Sequence, residues 1–125
     1  MQTLRKPKLL KKPLTTHNSI PPGPGRKGLT VRVGPYYKEQ LDEGDQFEMV
    51  YLPDGPQTTN TVLKIDCVPL QDVSRELLPD EIEPGAKNYD GLLLAMNSPA
   101  VRSWFPELVL PTTMVTYIHF REEGS

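Results

Sequence analysis

One cysteine, Cys67, and two histidines, His17 and His119, are all this 125-residue chain offers of the residues that staple small folds. A single thiol closes no internal disulfide, so the fold has to be held by a core. His17, Cys67 and His119 also lack the spacing that gathers three or four ligands round zinc, and neither metal nor cofactor is expected. Apolar runs of bilayer-spanning length are missing too. The stretch "RKPKLLKKPL" is positive but has no continuous apolar segment, so it does not read as a signal peptide. The expectation is a soluble, cytoplasmic protein with no membrane partner. No G-x-S-x-G, Walker or Rossmann pattern occurs. "GPGRKG" superficially suggests a phosphate loop, but it runs into a strand, and the helix N-terminus that would hold the phosphate is absent.

Acidic residues are absent from the first 38 positions, which hold nine Lys or Arg. The rest carries five basic residues against all 16 acids, so the net charge of −2 conceals a +9 segment joined to a −11 body. Prolines are unevenly placed as well: Pro7, Pro13, Pro21, Pro22 and Pro24 all lie in the first quarter. Residues 1–24 therefore read as a basic, Pro-rich, irregular and flexible arm ending in "SIPPGPG". Such an arm suits a polyanion, its own acidic body, or simply solvent. Residues 25–125 read as one small domain.

From Leu29 the pattern becomes short strands. "LTVRV" alternates, and "QFEMVYL" puts Phe47, Met49 and Tyr51 on one face. "TVLKIDCV" places Leu63, Ile65 and Cys67 inward, with Cys67 a buried structural thiol. "PDGPQ" between the last two marks an antiparallel pair. "GPYYKEQLDEGD" reads as a long turn or short irregular helix. Val73 and Leu77 in "LQDVSRELL" predict a short helix stopped by Pro79. "NYDGLLLAMN" predicts a helix capped by Asn88, and "SPAVRSWF" another turn of helix capped by Ser98, with Val101, Trp104 and Phe105 as its apolar face. "TTMVTYIHF" is the strongest strand, and His119 in it reads as hydrogen-bonded at a sheet face. The sum is an α+β domain: a small bent sheet or barrel, two or three short helices over one opening, and room for an extra strand from the arm.

The segment "GRKGLTVRVG", residues 25–34, carries the chemistry. Lys27 stands between Gly25 and Gly28, and Thr30 follows three residues later. A threonine hydroxyl becomes a nucleophile only when a base takes its proton, which a desolvated lysine can do. A carboxylate from "PDEIEPG" (Asp80, Glu81 or Glu83) can complete such a set. The same residues also describe a solvated turn, a strand threonine and a solvated acidic loop.

"GRKGLTVR", "GDQFEMVY", "VPLQDVSRE" and the terminal "VTYIHF" resemble, in that order, an ASCH domain of the PUA-like superfamily, across roughly residues 25–122. The layout is most similar to the small bacterial N(4)-acetylcytidine amidohydrolases. The resemblance implies a five- or six-stranded β-barrel with a cleft for a base or nucleoside. It implies catalytic roles for Lys27, Thr30 and, counting without a gap, Glu81, with Glu83 as the choice if the loop holds an insertion. Arg32 matches the arginine ending the motif, in a pocket-lining or phosphate-facing role. Gly28 stands where that family commonly has threonine. The arm replaces the usual first strand and helix, which takes away part of one cleft wall, and the 79–88 loop looks longer.

Two function classes follow, with a third behind them. One is a module that binds a nucleoside, nucleotide or single-stranded RNA, using Arg26, Arg32 and the basic arm for phosphates and Tyr36 and Tyr37 for stacking, unless those tyrosines pack at the core's edge. The other is an amidohydrolase acting on an acylated cytidine. The third is a basic-armed interaction protein of a larger assembly.

Overall fold

The computed structural model describes residues 6–17 and 20–124. Residues 1–5 and 18–19 of the basic arm lie outside the described residues, as does residue 125. Five strands form one sheet: β1 (Leu14–His17), β2 (Lys27–Val33), β3 (Gln46–Leu52), β4 (Gln57–Pro69) and β5 (Met114–Glu122). Their spatial order is β1-β3-β4-β5-β2. All pairings are antiparallel except β1 with β3. The helices α1 (Tyr36–Gln40), α2 (Tyr89–Met96) and α3 (Pro99–Arg102) are short, with three single 3₁₀ turns between β4 and α2. No helix among the described residues is long and apolar enough to cross a membrane.

The sheet curls into a half-barrel because its middle is buried on both sides. In β5 every residue from Val115 to Phe120 is buried. Ile118 and Phe120 join Phe47, Met49, Tyr51 and Val62 inside the curl, where the rings of Phe47 and Phe120 meet edge to face at 5.3 Å. Val115 and Tyr117, on the other face, pack with Leu29, Val31, Leu92 and Met96 under the helical layer. A strand covered on both faces reads as a continuous β-branched and aromatic run, which is what "VTYIHF" is.

The arm departs from the irregular segment expected of it. Leu14–His17 pairs residue for residue with Met49–Leu52, and Leu14 is buried among the residues inside the curl. Further back, Leu9 bridges Gln46, the Leu10 N–H donates to the Gln46 carbonyl, and the Lys8 N–H donates to Asp45 Oδ1. Lys8, Lys11 and Lys12 stay exposed, so the charges face solvent while one leucine anchors the strand. The extra strand is real, and it supplies the wall whose loss was expected.

Three local expectations are corrected. Residues 71–77 form no α-helix: the N–H groups of Leu70 and Gln71 donate to the carbonyls of Thr113 and Pro111, which leaves single 3₁₀ turns at Leu70–Asp72 and Leu78–Asp80. The alternation of β4 breaks at a bulge between Val62 and Lys64. The extra residue takes Leu63 out of phase, so Val62 and Ile65 are buried and Leu63 is only half-buried, while Cys67, still in phase with Ile65 near the strand's end, is half-buried too. Ser98 makes no capping hydrogen bond, and Trp104 is 57% exposed rather than part of an apolar face turned inward. Asn88 does cap α2, accepting the Gly91 N–H at 2.8 Å.

Candidate functional site

The half-barrel does not close. Its two edge strands, β1 and β2, face each other across a gap, because β1 pairs only with β3 and β2 only with β5. A cavity of about 850 Å³ occupies this gap and continues under α2 and α3. Thr15, Thr16 and His17 of β1 line one side, and Thr30 to Val33 of β2 the other.

The turn leading into β2 is set by its glycines. Gly23 and Gly25 hold positive φ, and the Gly25 N–H donates to the Glu122 carbonyl at the end of β5. From there β2 alternates, sending Leu29 and Val31 to the helical core and Thr30 and Arg32 into the curl. Thr30 is buried, and its Oγ1 accepts a 3.1 Å hydrogen bond from Arg32 Nε. Arg32 Nη2 reaches Met49 Sδ at 3.7 Å, so the guanidinium crosses from β2 toward β3. Burial lowers the pKa of this guanidinium, against the opposing influence of Tyr37 and Glu81. It stays cationic.

Glu81 arrives from the acidic loop, which is organised rather than solvated at this point. Glu81 forms a parallel bridge with Leu29, and the Ile82 N–H donates to the Leu29 carbonyl at 3.0 Å, so the loop occupies part of the free edge of β2. Lys87 Nζ pins it from outside by donating to the carbonyls of Pro79 and Glu81. The Glu81 side chain is 4% exposed. Its Oε1 accepts the Glu83 N–H at 3.2 Å, and its Oε2 is buried with no hydrogen-bond partner. Burial pushes its carboxyl up to about 8, outweighing the Glu83 N–H and the Arg32 charge. At neutral pH Glu81 is mostly a neutral acid, able to donate one hydrogen bond and accept another.

Thr30, Arg32, Glu81 and Glu83 therefore share one cavity. Lys27 and Arg26 do not line it. Both are exposed and border a second recess of about 540 Å³, of which Glu81 is also a wall. Tyr36 and Tyr37 stand outside the lining: Tyr36 is exposed, and Tyr37 packs on the inner core with its ring edge-on to Tyr36 at 5.0 Å. His119 is hydrogen-bonded at a sheet face, its Nε2 lying 2.9 Å from Asp80 Oδ2. Sequence reasoning missed the β1 residues and Trp104 as cavity lining. The alternation of Leu14 and Thr16 in "LTTH" was the available signal for the first.

Gly28 also has a structural reason. It faces Phe120 across the β2–β5 ladder, and a Cβ there would lie 2.6 Å from Phe120 Cζ and 3.0 Å from Pro22 Cγ. The Gly28→Thr variant, which restores the residue the resemblance leads one to expect, should lose about 1–3 kcal/mol by overpacking. Its denaturation midpoint checks this; an unchanged midpoint would mean the ring moves aside freely.

No family model matches the sequence, and no curated protein matches it. Solved structures do. A DUF984 protein from Enterococcus faecalis V583 is similar at a TM-score of 0.56 with 15% identity, over 78% of this chain and 63% of that one. The chain thus spans under two thirds of that protein's length. An ASCH domain from Lactobacillus crispatus JV V101 is similar at a TM-score of 0.56 with 10% identity, over 87% of this chain and 79% of that one. With its curled five-stranded sheet, short helices and open edge, the chain has the small α+β fold of that ASCH domain.

Proposed function

We propose that this chain binds a nucleobase in the gap between β1 and β2, presented by a nucleoside, a nucleotide or single-stranded RNA. The observation that carries the reading is the Glu81 carboxyl: buried, bonded at one oxygen only, and bordering a cavity shared with Arg32 and Thr30. A buried polar atom without a partner costs about 1–3 kcal/mol, and a ligand that supplies the partner recovers it. A neutral carboxyl offers a donor and an acceptor side by side, which complements the amide-like edge of a pyrimidine or purine. Arg32 adds donors that its bonds to Thr30 and Met49 leave unused. Arg26 and Lys27, in the adjoining recess, suit the phosphates of a longer ligand.

The amidohydrolase reading requires Lys27 to act on Thr30. Lys27 lines the neighbouring recess and Thr30 Oγ1 is held by Arg32 Nε, so binding stands first. What favours hydrolysis is that Glu81 borders both recesses and so lies between the two residues.

Amide chemical shifts recorded during titration with cytidine, uridine and a short single-stranded RNA test the proposal. Shifts should concentrate at residues 30–33 and 81–83, and Glu81→Ala should weaken binding about tenfold or more. RNA affinity should also fall steeply with salt while nucleoside affinity does not. No shift at millimolar ligand would overturn the reading. Cytidine released from N(4)-acetylcytidine, and lost in Lys27→Ala, would assign the hydrolytic chemistry instead.

A further inference from the structure

Trp104 is the chain's one tryptophan, and it is exposed where its size argues for burial. It follows α3 directly, its N–H donating to the Val101 carbonyl at 3.2 Å, while Ser103 Oγ donates to Ala100. The neighbouring Phe105 does the anchoring: it packs against the helical core, to which Trp104 does not belong. The two rings touch edge-on, 6.3 Å between centroids. Trp104 lines the same cavity as Glu81, as does Leu94 of α2, which is 75% exposed. Folding therefore leaves an indole and a leucine uncovered in the lining of a cavity that also holds a hydroxyl, a guanidinium and a neutral carboxyl.

That combination of lining groups selects a particular shape of ligand. Hydrogen-bonding groups on β2 and the 81–83 loop take the edge of a planar group, and an uncovered aromatic face takes its flat side. We propose that Trp104 is the stacking platform of this site, so that the site discriminates for a flat heteroaromatic ring and against a non-aromatic amide with the same edge. The inference rests on the nucleobase reading above and deepens it. Leu94 extends the apolar wall, as the aliphatic neighbours of stacking residues do.

Because no second tryptophan contributes, intrinsic fluorescence reports this wall directly. The experiment titrates the full chain with uridine and with 5,6-dihydrouridine, which keeps the imide edge but loses the planar aromatic ring, while following both Trp fluorescence and the amide shifts of residues 30–33 and 81–83. Uridine should quench Trp104 and bind about 5- to 150-fold more tightly than dihydrouridine, as expected for one base–aromatic contact of about 1–3 kcal/mol. Trp104→Leu should abolish that preference, and Trp104→Phe should keep most of it. The side chain is largely solvent-facing, so neither variant should disturb folding, and an unchanged denaturation midpoint checks that. If the amides shift but both nucleosides bind equally, or if Trp104→Leu keeps the preference, the stacking role is overturned and the nucleobase site survives. If neither nucleoside shifts the amides, both fall.

Discussion

Unfolding free energy should fall by several kcal/mol as pH rises from about 4.5 to about 8, and Glu81→Gln should remove most of that fall. Burial holds the Glu81 carboxyl at about 8 in the folded chain, against an ordinary value of 4.5. Below 4.5 both folded and unfolded states carry the proton, so the residue contributes nothing to the pH dependence. Between the two values the unfolded chain has released its proton and the native chain has not. The native state then binds more protons, and stability declines with pH. Above about 8 both states are ionised and the loss levels off. At about 1.4 kcal/mol per unit, the span amounts to about 3–5 kcal/mol, a large part of the total for a small domain. Gln keeps the shape and an oxygen for the Glu83 N–H but does not titrate. Denaturant unfolding of both proteins at pH 5, 7 and 9 measures the difference. Curves that fall in parallel would mean that Glu81 ionises in its ordinary range. The same ionisation removes the one donor of the carboxyl, so nucleoside affinity should weaken above pH 8 in the wild type only.

Leu14→Ala should destabilise the protein by about 2–5 kcal/mol, the cost of deleting a buried leucine side chain whose surroundings cannot fully close. Leu14 is 1% exposed and packs beside Phe47, Met49 and Tyr51. Lys11→Ala and Lys12→Ala, three and two residues away and exposed, should stay within about 0.5 kcal/mol. Denaturation midpoints of the three variants separate a structural strand from a solvated tail. A Leu14→Ala midpoint equal to the wild type would show that β1 adds nothing to the fold. The contrast also bears on how the arm's part in binding is tested. Deleting residues 1–24 removes β1 together with its charges, so charge-neutralising substitutions at Lys8, Lys11 and Lys12 are the cleaner probe of phosphate contacts.

Local patterning placed most of the sheet. "QFEMVYL" is β3 from end to end, the strands around "LTVRV" and "TVLKIDCV" lie where alternation puts them, extended by a few residues, and "TTMVTYIHF", read from its β-branched and aromatic content, is β5 moved two residues on. The errors arose where a partner elsewhere in the chain overrode the local signal. Leu63 shares a face with Ile65 by counting in twos, and one bulged residue moves it off that face. The 71–77 segment has helical spacing, but its leading N–H groups belong to the carbonyls before β5. In the arm, proline and charge density outweighed four residues whose only strong credential is a parallel neighbour 35 positions on. Thr30 and Arg32 stand in the motif and Glu81 is reached by counting forward from Val68-Pro69-Leu70, and all three line the same cavity. That Lys27 borders a different recess depends on the path of the 79–87 loop, which no local pattern records.

The pairing of β2 with β5 has a consequence for the order in which this molecule comes into being. β2 has no sheet partner other than the last strand: Lys27 must find Arg121, and Val33 must find Val115. By contrast, β3 and β4 meet across a tight turn, and β1 lies close enough in sequence to join them early. During synthesis the first three strands to associate are therefore β1, β3 and β4. Thr30 and Arg32 wait on an unpaired segment until β5 has left the ribosome, and only then does the pocket form.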